Sequence, residues 1–534
     1  MIKILDCTLR DGGYYNNWKF DLNLVKNYLR AMEACSINYV ELGFRFISSD
    51  LQRGPYGETS ENFLKTLELP SSLRYAVMIN GSEYLKPTKE EVALDINNKF
   101  ISSADSKISL VRVAINFDNA LNTKHIIGEL KNLGYEVGLN LMQSSAKSEK
   151  EYIDLAKEIE QWGLVDILYF ADSFGNMDPE EVNYIVGCLR KGWSGALGFH
   201  SHNNKGYALI NSVNAIKAGV EFCDSTVTGM GRGAGNVTTE SLLMELVNEG
   251  LLEVDLSLVQ GTVSDFTKLK EKYGWGPNMH YQYAANNNIH PTFVQTLSED
   301  NRYDQYQSFK ILESLAMEEN SSRFSNNSIK DVIYKKTENN DGSWDPKGFL
   351  KDKEILLVGG GISVLENRED ILNFVDERDL AVIFMNINNY LPQDIGLATI
   401  ASHEIRGFLD ASSYSELSHP LIIPMKGLGG VVKSYIKNME IYDYGLNLKE
   451  GAMKIGEKYC ELDNSIVAGY ALAVCTRAGA KKINLVGFDG YQKGDIRYQE
   501  MSELLRRYTQ LDEAVELVSL TPTLYSLRVS SLDV

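Results

Sequence analysis

Over its first 300 residues the chain repeats one unit eight times: a short apolar run, then a longer amphipathic stretch. The runs are IKILDCTL (2–9), YVELGF (39–44), RYAVMI (74–79), LVRVAI (110–115), EVGLNLM (136–142), VDILYFAD (165–172), GALGFHSH (195–202) and EFCDSTVTG (221–229). Between them lie helical patterns such as LNLVKNYLRAMEAC (22–35) and EYIDLAKEIEQWG (151–163). Strands that alternate with helices predict a parallel sheet, because a parallel pair needs a crossover between its members. Eight units are what a closed (β/α)8 barrel requires; an open doubly wound sheet, the rival, usually carries fewer strands.

A chain of 534 residues is too long for one core, and its second half supplies a second pattern. After residue 300 the chain turns polar, which predicts a helical tail and linker over 301–350. From 351 to 534 an α/β pattern returns: KEILLVGGGISVLE (353–366), LAVIFMNIN (380–388), SIVAGYALAVCTRAG (465–479) and KKINLVGFDGY (481–491). This predicts a smaller Rossmann-like domain behind the barrel domain of residues 1–300.

Net charge is −19, which repels phosphate backbones and anionic lipid heads, so neither nucleic acid nor membrane is an expected partner. The six cysteines form no CxxC pair. No signal-peptide pattern and no apolar run of about 18 residues is visible. Together these features predict a cytoplasmic protein with reduced thiols.

In a barrel, chemistry gathers at the C-terminal ends of the strands. Those ends bring up Arg10-Asp11 after strand one, Glu41 in strand two, His200 and His202 in strand seven, and Asn236 in GMGRGAGN after strand eight. Side chains at i and i+2 of a strand share a face. His200 and His202 can therefore reach one divalent ion, with a carboxylate from strand one completing the set. Two histidines that merely line a polar turn are the plainer reading; the Arg-Asp pair and the glycine loop favour the metal. Asn140 and Ser173, at the ends of strands five and six, are expected to line the pocket. Arg45 is expected either to meet a second substrate's anion or to form a surface ion pair.

LDCTLRDGG, VELGF, GFHSHNNKGYALINSVNAIKAG and STVTGMGRGAGNVTTESLL resemble the DRE-TIM metallolyase superfamily, which includes 3-hydroxy-3-methylglutaryl-CoA lyase, the isopropylmalate and homocitrate synthases and 4-hydroxy-2-oxovalerate aldolase. The resemblance spans most of residues 1–300. It implies that Asp11, His200 and His202 ligate a divalent metal (Mn²⁺ first, with Mg²⁺, Zn²⁺ or Co²⁺ as alternatives), that Asn236 stands at that metal, that Arg10 stabilises an enolate oxygen, and that Glu41 holds Arg10 in order. The loop after strand eight lacks the cysteine of the CoA lyases, so the aldolase branch is the better match: a pyruvate enolate plus an aldehyde, joined in a 4-hydroxy-2-oxo acid. Those aldolases carry a histidine as candidate base three residues after the metal aspartate; here that position is Tyr14. Tyr14, Tyr281, Tyr283 and His290 are the candidates for moving the proton. A Claisen-type synthase joining an acyl-CoA to a 2-oxo acid, and a non-catalytic barrel scaffolding the C-terminal domain, are the other two readings. A homodimer is expected by analogy with such barrels.

The C-terminal segments LLVGGGISVLEN, MNINNY and SIVAGYALAVCTRAGAKKINLVGFDGY resemble bacterial sialyltransferase-like and motility accessory factor domains. That implies a nucleotide or nucleotide-sugar site near Gly359, Gly360, Gly361, Ser363, Asn386 and Asp489, and a role in surface-glycan metabolism. The glycine run is not a full GxGxxG, and the last histidine, His419, precedes GFDGY, where those transferases place a base further on. A binding-only domain therefore stands beside an active one.

Overall fold

The computed structural model describes residues 2–532 apart from 48–52, 301–302, 319–320, 323, 326–327, 330–331, 333–338, 388, 403–410, 427 and 429. Two compact units result: residues 1–299 with 316–324, and residues 300–315 with 325–534.

The first unit is the closed eight-stranded parallel barrel that the alternation predicts. Its strands are β1 (Lys3–Asp6), β2 (Tyr39–Phe44), β3 (Arg74–Asn80), β4 (Ile108–Asn116), β5 (Glu136–Met142), β6 (Ile167–Asp172), β7 (Ala196–Ser201) and β8 (Phe222–Ser225), and β8 pairs back onto β1. The helices between them start and stop by local chemistry. Ser148 and Glu151 form a reciprocal capping box at the helix Glu149–Trp162, which ends at Gly163 in a left-handed turn.

Alternation along the strands sorts the barrel interior into layers. The lowest is apolar: Leu5, Tyr39, Ala76, Leu110, Ile167 and Phe222 pack together with Cys7 and Tyr169. Two residues further along β2, β4 and β8 stand Glu41, Arg112 and Asp224, all buried. The Arg112 guanidinium lies 4.2 Å from the centre of the Tyr169 ring. Gly198 makes room for that ring, since a Cβ there would lie 2.4 Å from its edge. The mouth residues stand on this charged layer.

The second unit holds an all-parallel sheet of β9 (Glu354–Val358), β10 (Ala381–Met385), β11 (Gly396–Ile400), β12 (Leu421–Ile422), β13 (Ile441–Tyr442), β17 (Lys482–Val486), β18 (Leu517–Ser519) and β19 (Arg528–Val529), with β14 (Gly445–Leu448), β15 (Met453–Ile455) and β16 (Tyr459–Leu462) in a separate three-stranded sheet. The order is β13-β12-β11-β10-β9-β17-β18-β19, so the winding reverses between β9 and β17. Both faces are covered. Ile355 and Leu357 pack with the helix Val467–Arg477, whereas Leu356 and Val358 pack with Ile371 and Phe374 of the helix Arg368–Arg378. Near-continuous apolar strands such as EILLV and AVIFM are what burial on both faces demands. No described helix is long and apolar enough to cross a membrane.

Candidate active site and metal centre

β1 ends at Asp6, and the chain then makes a single helical turn, Thr8–Asp11. Asp6 shapes that turn. Its carboxylate accepts hydrogen bonds from the Thr8 amide (2.9 Å), the Tyr28 hydroxyl (2.6 Å) and the Thr239 hydroxyl (2.6 Å). The turn lifts Arg10 and Asp11 into the barrel mouth, both buried. Arg10 Nε donates to Glu41 Oε2 at 2.7 Å, and its Nη1 to Asp11 Oδ1 at 2.8 Å. Across the mouth, His200 is on β7 and His202 is just past its end, where an isolated antiparallel bridge pairs it with Asn236.

Asp11, His200 and His202 each offer one ligand atom, and these atoms lie within 4.8 Å of one another. The Nε2 of His200 is 3.6 Å from Asp11 Oδ2, and the Asn236 amide donates to the same oxygen at 2.5 Å. The residues present fit a divalent cation. The Asn236 Oδ1 is buried with no hydrogen-bond partner. Gly231 lets the backbone close on the site: a Cβ there would be 2.6 Å from Asn236 Nδ2 and 2.9 Å from Asp11 Oδ2. Two of the three ligands, Asp11 and His202, are held in the form that binds a cation. Burial opposes charge on Asp11, but the Arg10 guanidinium and the His200 and His202 imidazoles together outweigh it and hold the carboxyl well below its usual range. Burial holds His202 down to about 3, so its imidazole is neutral. His200 is pulled the other way: burial opposes its charge, and the Asp11 and Asp224 carboxylates outweigh burial.

Beneath the mouth runs a chain of buried charges that the sequence reading missed. Arg112 Nη1 pairs with Glu41 Oε2 at 3.1 Å, its Nη2 with Asp224 Oδ2 at 2.5 Å, and its Nε donates to Asn140 Oδ1 at 3.3 Å. Asp224 in turn holds the Nδ1 of His200 at 2.8 Å. One guanidinium thus ties together the carboxylate that orients Arg10 and the one that orients His200. Its signal in the sequence is an arginine in the middle of the apolar run LVRVAI.

A cavity of about 170 Å³ opens above the donor set, lined by Arg10, Asp11, His200 and His202 together with Tyr14, Asn140, Ser173 and Arg232. The structure brings Asn140 and Ser173 to this cavity but not Arg45. That guanidinium is buried in the wall, donating to Glu61 at 2.7 Å and to the carbonyls of Thr59 and Lys99 at 3.1 and 2.8 Å. Of the two readings offered for Arg45, the ion pair is the one the structure shows, made with Glu61 but buried rather than at the surface. Burial raises the Tyr14 phenol above its ordinary range, and for Tyr281 burial does the same, up to about 12. Tyr281 is packed beside Tyr15, and neither it nor Tyr283 lines the cavity. His290 lines an adjoining cavity, and burial holds it down to about 3.

In the second unit, Gly359, Gly361, Ser363 and Asp489 meet where the winding reverses, the place where open α/β sheets present a crevice. The Asp489 carboxylate accepts hydrogen bonds from the Ser363 amide (3.0 Å) and the Ser363 hydroxyl. The Gly359 and Gly361 amides donate to the carbonyls of Val486 and Gly487. The Gly359, Gly361 and Ser363 amides, expected to meet a phosphate, are therefore engaged within the fold. Asn386 stands past the end of β10 with a left-handed backbone and a buried Oδ1 that has no partner among the described residues.

A closed parallel barrel with a His₂-carboxylate set at the C-terminal ends of its strands defines the class, a (β/α)8 barrel with a metallolyase-type mouth. A family model described as HMGL-like matches residues 85–270. The chain is 32% identical over 264 residues to a 4-hydroxy-2-oxovalerate aldolase of Geobacillus genomosp. 3, covering 48% of this chain and 74% of that one. It is 28% identical over 258 residues to an oxaloacetate decarboxylase of Mycobacterium tuberculosis, covering 48% and 73%. A Bacteroides vulgatus crystal structure described as an aldolase N-terminal domain superposes with a TM-score of 0.51 at 36% identity, covering 58% of this chain and 99% of that one. The chain belongs to the HMGL-like family of DRE-TIM metallolyases.

Proposed function

We propose that the barrel is a metal-dependent aldolase that joins pyruvate to an aldehyde, or cleaves the resulting 4-hydroxy-2-oxo acid. The observation that carries this reading is the division of labour between neighbours: Asp11 faces the two histidines, while Arg10, one residue earlier, faces the same small cavity. A divalent ion held by Asp11, His200 and His202 would supply Lewis-acid activation of a 2-oxo acid.

The chain's own residues do the rest. Arg10 spends Nε on Glu41 and Nη1 on Asp11, which leaves Nη2 for a substrate oxygen. A guanidinium clamped in this way meets the developing enolate charge without reorganising, and such preorganisation is the larger part of electrostatic catalysis. In condensation, the C3 carbanion of the enolate attacks the aldehyde carbon, the C3–C4 bond forms, and the aldehyde oxygen takes a proton. Tyr14 lines the cavity and burial keeps its phenol protonated, so it is the candidate that has a proton to give in that step. A cavity of about 170 Å³ is of a size for a three-carbon 2-oxo acid.

Protein supplied with Mn²⁺ is expected to release pyruvate from 4-hydroxy-2-oxo acids, and His200→Ala to abolish the release. Turnover unchanged in that variant would sink the assignment.

A further inference from the structure

Beside the central cavity lies a second one of about 300 Å³, and the two share Met142, Ser173 and Arg232 in their walls. Arg232 is half-buried and has no carboxylate within ion-pair distance among the described residues. Its guanidinium carbon stands 5.8 Å from the Tyr14 ring centre. Among the described residues no carboxylate lines the second cavity, although the chain as a whole carries a net charge of −19.

The neutral groups around Arg232 are set to donate. Ser173 Oγ accepts from the Gln143 amide at 2.9 Å, which leaves its own proton to offer. His290 Nδ1 accepts from the Thr292 amide at 3.3 Å, so a neutral His290 carries its proton on Nε2. Asn116 supplies a further amide. A guanidinium without a counter-ion, ringed by donors, describes a receptor for an anion.

We propose that the aldehyde used by this barrel carries an anionic group at its far end, a carboxylate or a phosphate, and that Arg232 binds it in the second cavity. This rests on the aldolase reading above. The reacting carbonyl lies in the central cavity beside Tyr14, and the acidic tail passes Arg232 into the adjoining space. A short neutral aldehyde leaves that guanidinium unanswered.

The experiment measures kcat/KM for condensation of pyruvate with succinic semialdehyde, with butanal and with glyceraldehyde 3-phosphate, in the wild type and in Arg232→Met and Arg232→Lys. Exchange of the pyruvate methyl protons in D₂O, followed by mass spectrometry, reports enolate formation separately. An acidic aldehyde is expected to exceed butanal in the wild type, and the more active acid tells carboxylate from phosphate. The acid-to-neutral ratio is expected to fall about 10- to 100-fold in Arg232→Met and to be partly restored in Arg232→Lys. Equal ratios in wild type and Arg232→Met, with methyl exchange intact in the wild type, overturn this proposal alone. Absent exchange in the wild type overturns the aldolase reading and this proposal with it.

Discussion

The Nδ1 of His200 lies 2.8 Å from the Oδ2 of Asp224, deep in the barrel, while its Nε2 faces Asp11 at the mouth. The hydrogen bond fixes which nitrogen is offered to a metal, as partners behind a ligating imidazole commonly do. Asp224→Asn is expected to lower Mn²⁺ affinity about 10- to 100-fold, read by calorimetric titration of the apo protein. Affinity equal to wild type would show that His200 needs no such support.

Arg10 reaches Glu41 and Asp11 through a planar fork that a lysine cannot reproduce. Arg10→Lys is expected to cut kcat about 100-fold with bound metal retained, since it removes a preorganised donor from the enolate side. Steady-state kinetics beside elemental analysis check both halves; a variant that loses its metal would instead make Arg10 a structural support of Asp11.

Arg112 neutralises Glu41 and Asp224 where none of the three meets water. Breaking a buried ion network leaves charge uncompensated, so Arg112→Met is expected to destabilise the barrel by about 3–5 kcal/mol. Urea denaturation measures this, and a loss below about 1 kcal/mol would mean that the carboxylates take up protons at little cost.

Burial raises the Asp172 carboxyl to about 7, against partial relief from the Asn176 and Met177 amides. Between pH 4 and pH 7 the folded state therefore holds a proton that the unfolded state releases. The stability this group contributes is present in full below its unfolded value and is lost as pH rises through 7, by about 4 kcal/mol at most. Asp172→Asn is expected to flatten that decline, and melting curves across the pH range test it; parallel wild-type and variant profiles would show Asp172 ionised in the fold.

The barrel was legible because each buried parallel strand is a nearly continuous apolar run and each helix a striped one, so eight repeats are written locally. RDGG, GFHSH and GMGRGAGN were legible as strand ends for the same reason. Asp6 shapes the turn that carries Arg10 and Asp11, through partners as far along the chain as Thr239. Partnership was not legible. The sequence separations of 112 from Arg112 to Asp224 and 71 from Glu41 to Arg112 vanish only when the sheet closes, and no local pattern says which inward residues will meet across a barrel. The same closure spends Arg45 on wall carbonyls and leaves Arg232 facing a cavity, although in the sequence both are single arginines near a strand end. The alternation of apolar strand runs with striped helices determined the barrel and where chemistry gathers on it. Only tertiary structure decided which charges are paired, because pairing depends on distances between strands that lie far apart in the chain.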